Sequence, residues 1–117
     1  MQSKLISVVI PVYNEAPTLV ELHRRLYDTL VARGTPFELI FVNDGSVDTS
    51  LSVLKTLSPA RVLNLKRNYG QTIALAAGIR ASRGDTIVTL DADLENHPED
   101  IPLLLEKLDD GYDVVTG

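Results

Sequence analysis

The chain has 117 residues, 44% of them hydrophobic and 23% charged, which suits one packed domain and excludes a disordered tail or a collagen-like repeat. Lys and Arg number 11 against 16 Asp and Glu, a net charge of −5, which argues against a protein that grips nucleic acid by its phosphates. The absence of cysteine excludes a disulfide scaffold and a thiolate metal site. No apolar stretch nears the roughly 18 residues of a membrane-crossing helix, so a soluble cytoplasmic domain is the expectation.

Leu5 to Ile10 is a short β-branched run ending at Pro11, the pattern of a strand buried on both faces. Leu19, Leu22, Leu26 and Leu30 then recur at helical spacing, with Gly34 as the stop. Phe37 to Val42 predicts a second strand, and Leu51, Leu54 and Leu57 a short helix. Arg61 to Leu65 predicts a third strand, and the Ala-, Leu- and Ile-rich segment Gln71 to Ser82 a buried helix in which Gly78 hints at close packing. Thr86 to Leu90 predicts a fourth strand, and Pro98 opens a helix through Leu108. Tyr112 to Val115 begins a fifth strand, directly after which the sequence stops, so a fragment of a larger fold is expected. Strands alternating with helices imply right-handed crossovers and a mostly parallel sheet covered on both faces, an α/β fold.

Ligands bind such sheets beyond the carboxyl ends of the strands. The polar segments there are Pro11-Val12-Tyr13-Asn14-Glu15, Asn43-Asp44-Gly45-Ser46, Lys66-Arg67-Asn68-Tyr69-Gly70-Gln71 and Asp91-Ala92-Asp93-Leu94-Glu95. Asp91 and Asp93, with Glu95 continuing the spacing, offer hard oxygens to Mg²⁺ or Mn²⁺ shared with substrate phosphates; an acidic turn favouring the next helix is the plainer reading. Tyr13 suits stacking on a planar base. Glu15 suits ligand hydroxyls or the start of the following helix. Asp44 precedes a turn signal, where Asp often serves only its own backbone, and Asp48 reads as a helix cap. Arg67 suits a phosphate or open solvent. His23 reads as a surface residue, and His97 stands two residues beyond Glu95. The sequence lacks G-x-G-x-x-G after the first strand, a P-loop, a G-x-S-x-G elbow and EF-hand spacing, which sets aside the usual dinucleotide folds, NTPases, α/β-hydrolases and calcium loops.

Taken together, Ser7 to Glu15, Phe41 to Ser46, Arg67 to Gln71 and Leu90 to Glu95 resemble the N-terminal half of family 2 glycosyltransferases. Within that family they are most similar to polyprenyl-phosphate glycosyltransferases of the dolichol-phosphate mannose synthase kind. The resemblance implies a Rossmann-like GT-A fold in which residues 1–117 form the nucleotide-sugar (donor) part. It implies that Pro11, Tyr13, Glu15 and Asp44 hold the nucleoside of a UDP- or GDP-sugar. Asp91 and Asp93 become an Asp-x-Asp motif that holds the diphosphate through Mg²⁺ or Mn²⁺, Ala92 lies against ribose or diphosphate by its backbone, and Glu95 stands where relatives have Gln. Arg67 and Gln71 match a third motif. The implied acceptor is a polyprenyl phosphate, which places the whole protein at the cytoplasmic face of a membrane. Such an acceptor needs little help from a base, because a phosphate monoester is largely ionised at neutral pH. Asn43 departs from the family's usual paired Asp, and the later elements that complete the acceptor site are not in this sequence. A non-catalytic nucleotide-binding domain and an Asp-based phosphatase are the alternatives, and an unfinished sheet edge suggests pairing with a second copy.

Overall fold

The computed structural model describes residues 4–109. The elements are strand β1 (Ile6–Val12), helix α1 (Ala16–Arg33), strand β2 (Phe37–Asn43), helix α2 (Ser50–Leu54), strand β3 (Arg61–Asn64), helix α3 (Gln71–Ala81), strand β4 (Thr86–Thr89), a 3₁₀ turn (Pro98–Asp100) and helix α4 (Ile101–Asp109). The strands form one parallel sheet in the order β3-β2-β1-β4, as the repeated strand–helix pattern predicts. The expected fifth strand, Tyr112 to Val115, lies outside the described residues.

Strand alternation sorts the sheet into two cores. Ile6, Val8, Ile10 and Val12 of β1 join Leu39, Phe41 and Val88 against the leucine stripe of α1, with Leu54 of α2 and Ile101 and Leu105 of α4 on the same face. Val9, Ile40 and Val42 face the other way, onto Ala74 of α3. Helices therefore cover both faces, which is why β1 and β2 read as largely apolar runs, interrupted only by Ser7 and Glu38 before Asn43. Gly78 lies on α3 where a Cβ would overlap the Val9 side chain, so the missing side chain sets how closely α3 approaches the sheet.

Two boundaries differ from expectation for identifiable reasons. β1 does not stop at Pro11 but runs to Val12. β4 pairs with β1 only from Ile6 to Val9, while Pro11 faces Val42 of β2. Pro11 thus sits where β1 has a neighbour on one side only, and its missing N–H breaks no ladder. The helix expected from Pro98 begins instead as the 3₁₀ turn and becomes α-helical at Ile101. Gly34 ends α1 as expected, in the left-handed conformation at φ 78, its N–H donating to the carbonyls of Leu30 and Val31.

His23 is not the surface residue expected. It is buried, its ring lies near Tyr27 and Phe41, and Nε2–H donates to the Pro59 carbonyl at 2.9 Å. The connection between α2 and β3 covers a wider band of α1 than the leucine stripe marks.

Candidate functional site

The carboxyl ends of all four strands open on one pocket of about 340 Å³, within the range of small-molecule sites. Pro11, Tyr13, Glu15, Asp44, Asp91, Ala92 and Asp93 line it, together with Val12, Asn68, Gly70 and Gln71. Every residue expected to hold the nucleoside or diphosphate is therefore brought to one place. Arg67 is not among the lining residues; its guanidinium lies 5.8 Å from the Tyr69 ring centre. Asn43 turns away as well. It is buried, and its Nδ2 donates to Asn64 Oδ1 at 2.9 Å, so the departure from a paired Asp falls in the packing between β2 and β3. Among the described residues the buried Asn43 Oδ1 meets no hydrogen-bond donor.

Polar contacts join the loops around the pocket into a circuit. Asn14 adopts a positive φ of 53, a conformation Asn tolerates better than most residues. Its Oδ1 accepts the Val47 N–H at 2.8 Å, and its own N–H donates to Ser46 Oγ at 2.9 Å. Glu15 N–H donates to Ser50 Oγ at 3.1 Å. Asp48 accepts from Ser50 N–H at 2.8 Å and from Ala16 N–H at 3.3 Å, so it caps the starts of two helices rather than one. The loop after β1 is thereby stapled to the loop after β2.

Asp44 carries the circuit onward. It is buried, but it does not serve its own turn. Oδ1 accepts the Tyr69 N–H at 2.8 Å, and Oδ2 accepts the Gly70 N–H at 3.0 Å and Asn68 Nδ2 at 3.2 Å. Beside it, Gly45 has φ 68, and a Cβ there would overlap the backbone of Arg67 and Asn68. Only glycine permits both the backbone conformation and the approach. Gln71, the first residue of α3, then donates from Nε2 to Asp91 Oδ1 at 3.1 Å. The circuit closes where Thr18 of α1 donates to the Ala92 carbonyl at 2.6 Å. Farther out, Arg25 makes a two-pronged pair with Glu99 at 2.8 and 2.5 Å and also meets His97 Nδ1 at 3.3 Å, which ties the segment after the acidic motif to α1.

The pocket is electronegative on one side. Burial, then the charge of Asp93, then those of Asp48 and Glu95, hold the Glu15 carboxyl above its ordinary pKa, against a lowering hydrogen bond from Thr18. The amino end of α3 supplies the opposing positive potential, since Gly70 and Gln71 both line the pocket. Among the described residues no three His, Cys, Asp or Glu side chains converge as a ready-made metal cage. Ala92 turns its methyl into the core between the two aspartates, Asp91 leans on Gln71, and Asp93 Oδ1 accepts the Glu95 N–H at 3.0 Å. Asp91, Asp93 and Glu95 are thus not gathered into a three-carboxylate set. The donor chemistry still fits a hard cation, because the carboxyl oxygens of Asp91 and Asp93 line a pocket with no basic residue among its described lining residues.

Residues 7–117 match the family model for glycosyl transferase family 2, and the chain belongs to that family. An undecaprenyl-phosphate 4-deoxy-4-formamido-L-arabinose transferase of Pseudomonas aeruginosa is 49% identical over 116 residues, covering 95% of this chain and 34% of the relative. The enzyme of that name from Klebsiella pneumoniae is 48% identical over 117 residues, covering 96% of this chain and 36% of the relative. The chain therefore spans about a third of the length of the curated relatives it matches. Among solved structures, glucosyl-3-phosphoglycerate synthase from Mycobacterium tuberculosis, in complex with Mn²⁺, UDP and glucosyl-3-phosphoglycerate, superposes with a TM-score of 0.74 at 28% identity, covering 90% of this chain and 39% of that one. The fold is that of the GT-A glycosyltransferases, as the four loop motifs imply.

Proposed function

We propose that this chain is the donor-binding part of a glycosyltransferase that moves a sugar from a UDP- or GDP-sugar to a polyprenyl phosphate at the cytoplasmic face of a membrane. The convergence of Tyr13, Glu15, Asp44, Asp91 and Asp93 on one pocket carries the reading. Tyr13, 47% exposed at the rim, offers a ring face to the base. Glu15 accepts hydroxyls of the nucleoside. Asp91 and Asp93 are the residues that would hold Mg²⁺ or Mn²⁺ beside the diphosphate, since hard cations take carboxylate oxygens and commonly share substrate phosphates. When bound, that ion supplies charge neutralisation to the departing diphosphate. The chain's own part is to bind and orient: the circuit fixes the pocket walls before the donor arrives, so little ordering is needed on binding.

The 49% identity to a transferase named for undecaprenyl phosphate supports the acceptor class. Among the described residues no helix is long and apolar enough to cross a membrane. The test is ligand-induced stabilisation. At a hundredfold excess over Kd, UDP or GDP with Mn²⁺ stabilises the folded state by about 2.7 kcal/mol. Asp91→Ala or Asp93→Ala removes most of that gain, and an undiminished gain in both variants rejects the metal assignment. Transfer of labelled sugar to a polyprenyl phosphate by the whole protein separates an enzyme from a domain that only binds nucleotide.

A further inference from the structure

Thr18 sits in the first turn of α1 and is not among the residues that line the pocket. Its hydroxyl reaches across 74 residues of sequence to the carbonyl of Ala92, at 2.6 Å. The Glu15 carbonyl lies farther off, at 3.0 Å. A hydroxyl has one proton to give; the Ala92 carbonyl is the nearer of these two acceptors, and the Glu15 carboxyl also draws on the same hydroxyl.

Ala92 is the residue between the two aspartates. Its side chain is 4% exposed and packed into the core beneath α1. A methyl fixed on one side and a carbonyl fixed on the other leave the peptide planes around Ala92 little freedom. Those planes set the directions in which Asp91 and Asp93 depart. Two residues on, Leu94 holds a positive φ of 65, an uncommon conformation for a bulky side chain that persists only where its surroundings enforce it. The Thr18 bond is one such constraint, and it comes from a different element of the fold.

We infer that Thr18 is a positioning residue for the acidic pair, fixing the Ala92 carbonyl so that Asp91 and Asp93 meet the cation and diphosphate. The inference rests on the nucleotide-sugar reading. Thr18 touches neither ligand; it acts through the backbone of Ala92. Thr18→Val keeps the branched shape and removes the donor, and Thr18→Ser keeps the donor.

The experiment is calorimetric titration of UDP and of uridine, with and without Mn²⁺, into the natural full-length polypeptide and these variants, with GDP and guanosine in parallel. In Thr18→Val the Mn²⁺-dependent affinity for the diphosphate falls about tenfold, the effect of one ordinary hydrogen bond, while nucleoside affinity stays within about twofold. Thr18→Ser recovers the diphosphate affinity to within about threefold. If Thr18→Val does not fold, Thr18→Ala carries the same expectation. Unchanged diphosphate affinity in the variant overturns the inference. An equal loss for nucleoside and diphosphate also overturns it, because that pattern marks general loosening of the fold. Indifference of the unaltered protein to Mn²⁺ overturns it too. Failure of the unaltered protein to bind either diphosphate is a separate result, which rejects the nucleotide-sugar reading itself.

Discussion

Asp44 tests whether the pocket is held by hydrogen bonds rather than by packing alone. Its carboxylate accepts two backbone N–H groups on separate oxygens, Tyr69 at 2.8 Å and Gly70 at 3.0 Å, and the Asn68 amide at 3.2 Å. Asp44→Asn preserves the shape but leaves one oxygen, so one of the two backbone donors must face an amide NH₂. One charge-assisted bond, worth about 1.5–3 kcal/mol, is lost, and the other becomes an ordinary neutral bond worth about 1 kcal/mol. The expected destabilisation is about 2–5 kcal/mol, measured as a shift in urea midpoint at constant slope. Asn68→Ala is the control. It leaves both backbone donors in place, removes the Nδ2 contacts to Oδ2 and to the Asp44 carbonyl, each 3.2 Å, and is expected to cost about 1 kcal/mol. Hydrogen exchange gives the local readout: in Asp44→Asn the Tyr69 and Gly70 amides exchange faster than the sheet amides of β1 and β2. A variant within about 0.5 kcal/mol of the parent, with unchanged exchange at these two amides, refutes the loop-pinning role. Lost nucleotide affinity alongside that result would leave Asp44 acting on the ligand alone.

Two further outcomes follow from packing and charge. Gly78→Ala gains about 1 kcal/mol in helix propensity, but the added Cβ meets Val9 and Val42, both fully buried in the sheet. Overpacking of that kind costs about 1–3 kcal/mol, so the variant is less stable by roughly 1 kcal/mol in urea denaturation, and a clear gain in stability would contradict the close approach of α3. The Arg25 guanidinium holds the Glu99 carboxyl at about 2, well below its ordinary 4.5. A carboxyl with a depressed folded-state pKa stabilises the fold above its unfolded pKa, and that contribution fades as pH falls from about 4.5 to about 2. Glu99→Gln therefore trails the parent in stability at pH 6, and the gap narrows at pH 3. The gap is small because half of the Glu99 side chain is exposed, and a gap that is equal at both pH values would contradict the pairing with Arg25.

The sheet, its order of elements and the gathering of four polar loops at one edge are legible in the sequence because they follow from periodicity and from a topological rule. Apolar runs bounded by Pro, Gly and Asn mark β1 and β2, leucines at helical spacing mark α1, and parallel strands send their carboxyl ends the same way. What joins the loops is not legible. The bonds of Asn14 to Val47, Asp44 to Tyr69 and Thr18 to Ala92 span 33, 25 and 74 residues, and a side chain's distant partner leaves no mark on its own surroundings in the sequence. Asp44 shows the consequence. Beside Gly45 it reads as an aspartate serving its own turn, and the actual partners lie one strand away. His97 stands two residues beyond Glu95 in the sequence, but the backbone turns at Leu94, and His97 ends beside Arg25. The chemistry-bearing groups of this site are therefore recognisable one by one, whereas the precision with which they face each other comes from residues such as Thr18 and Asn14, whose role appears only once the chain has folded.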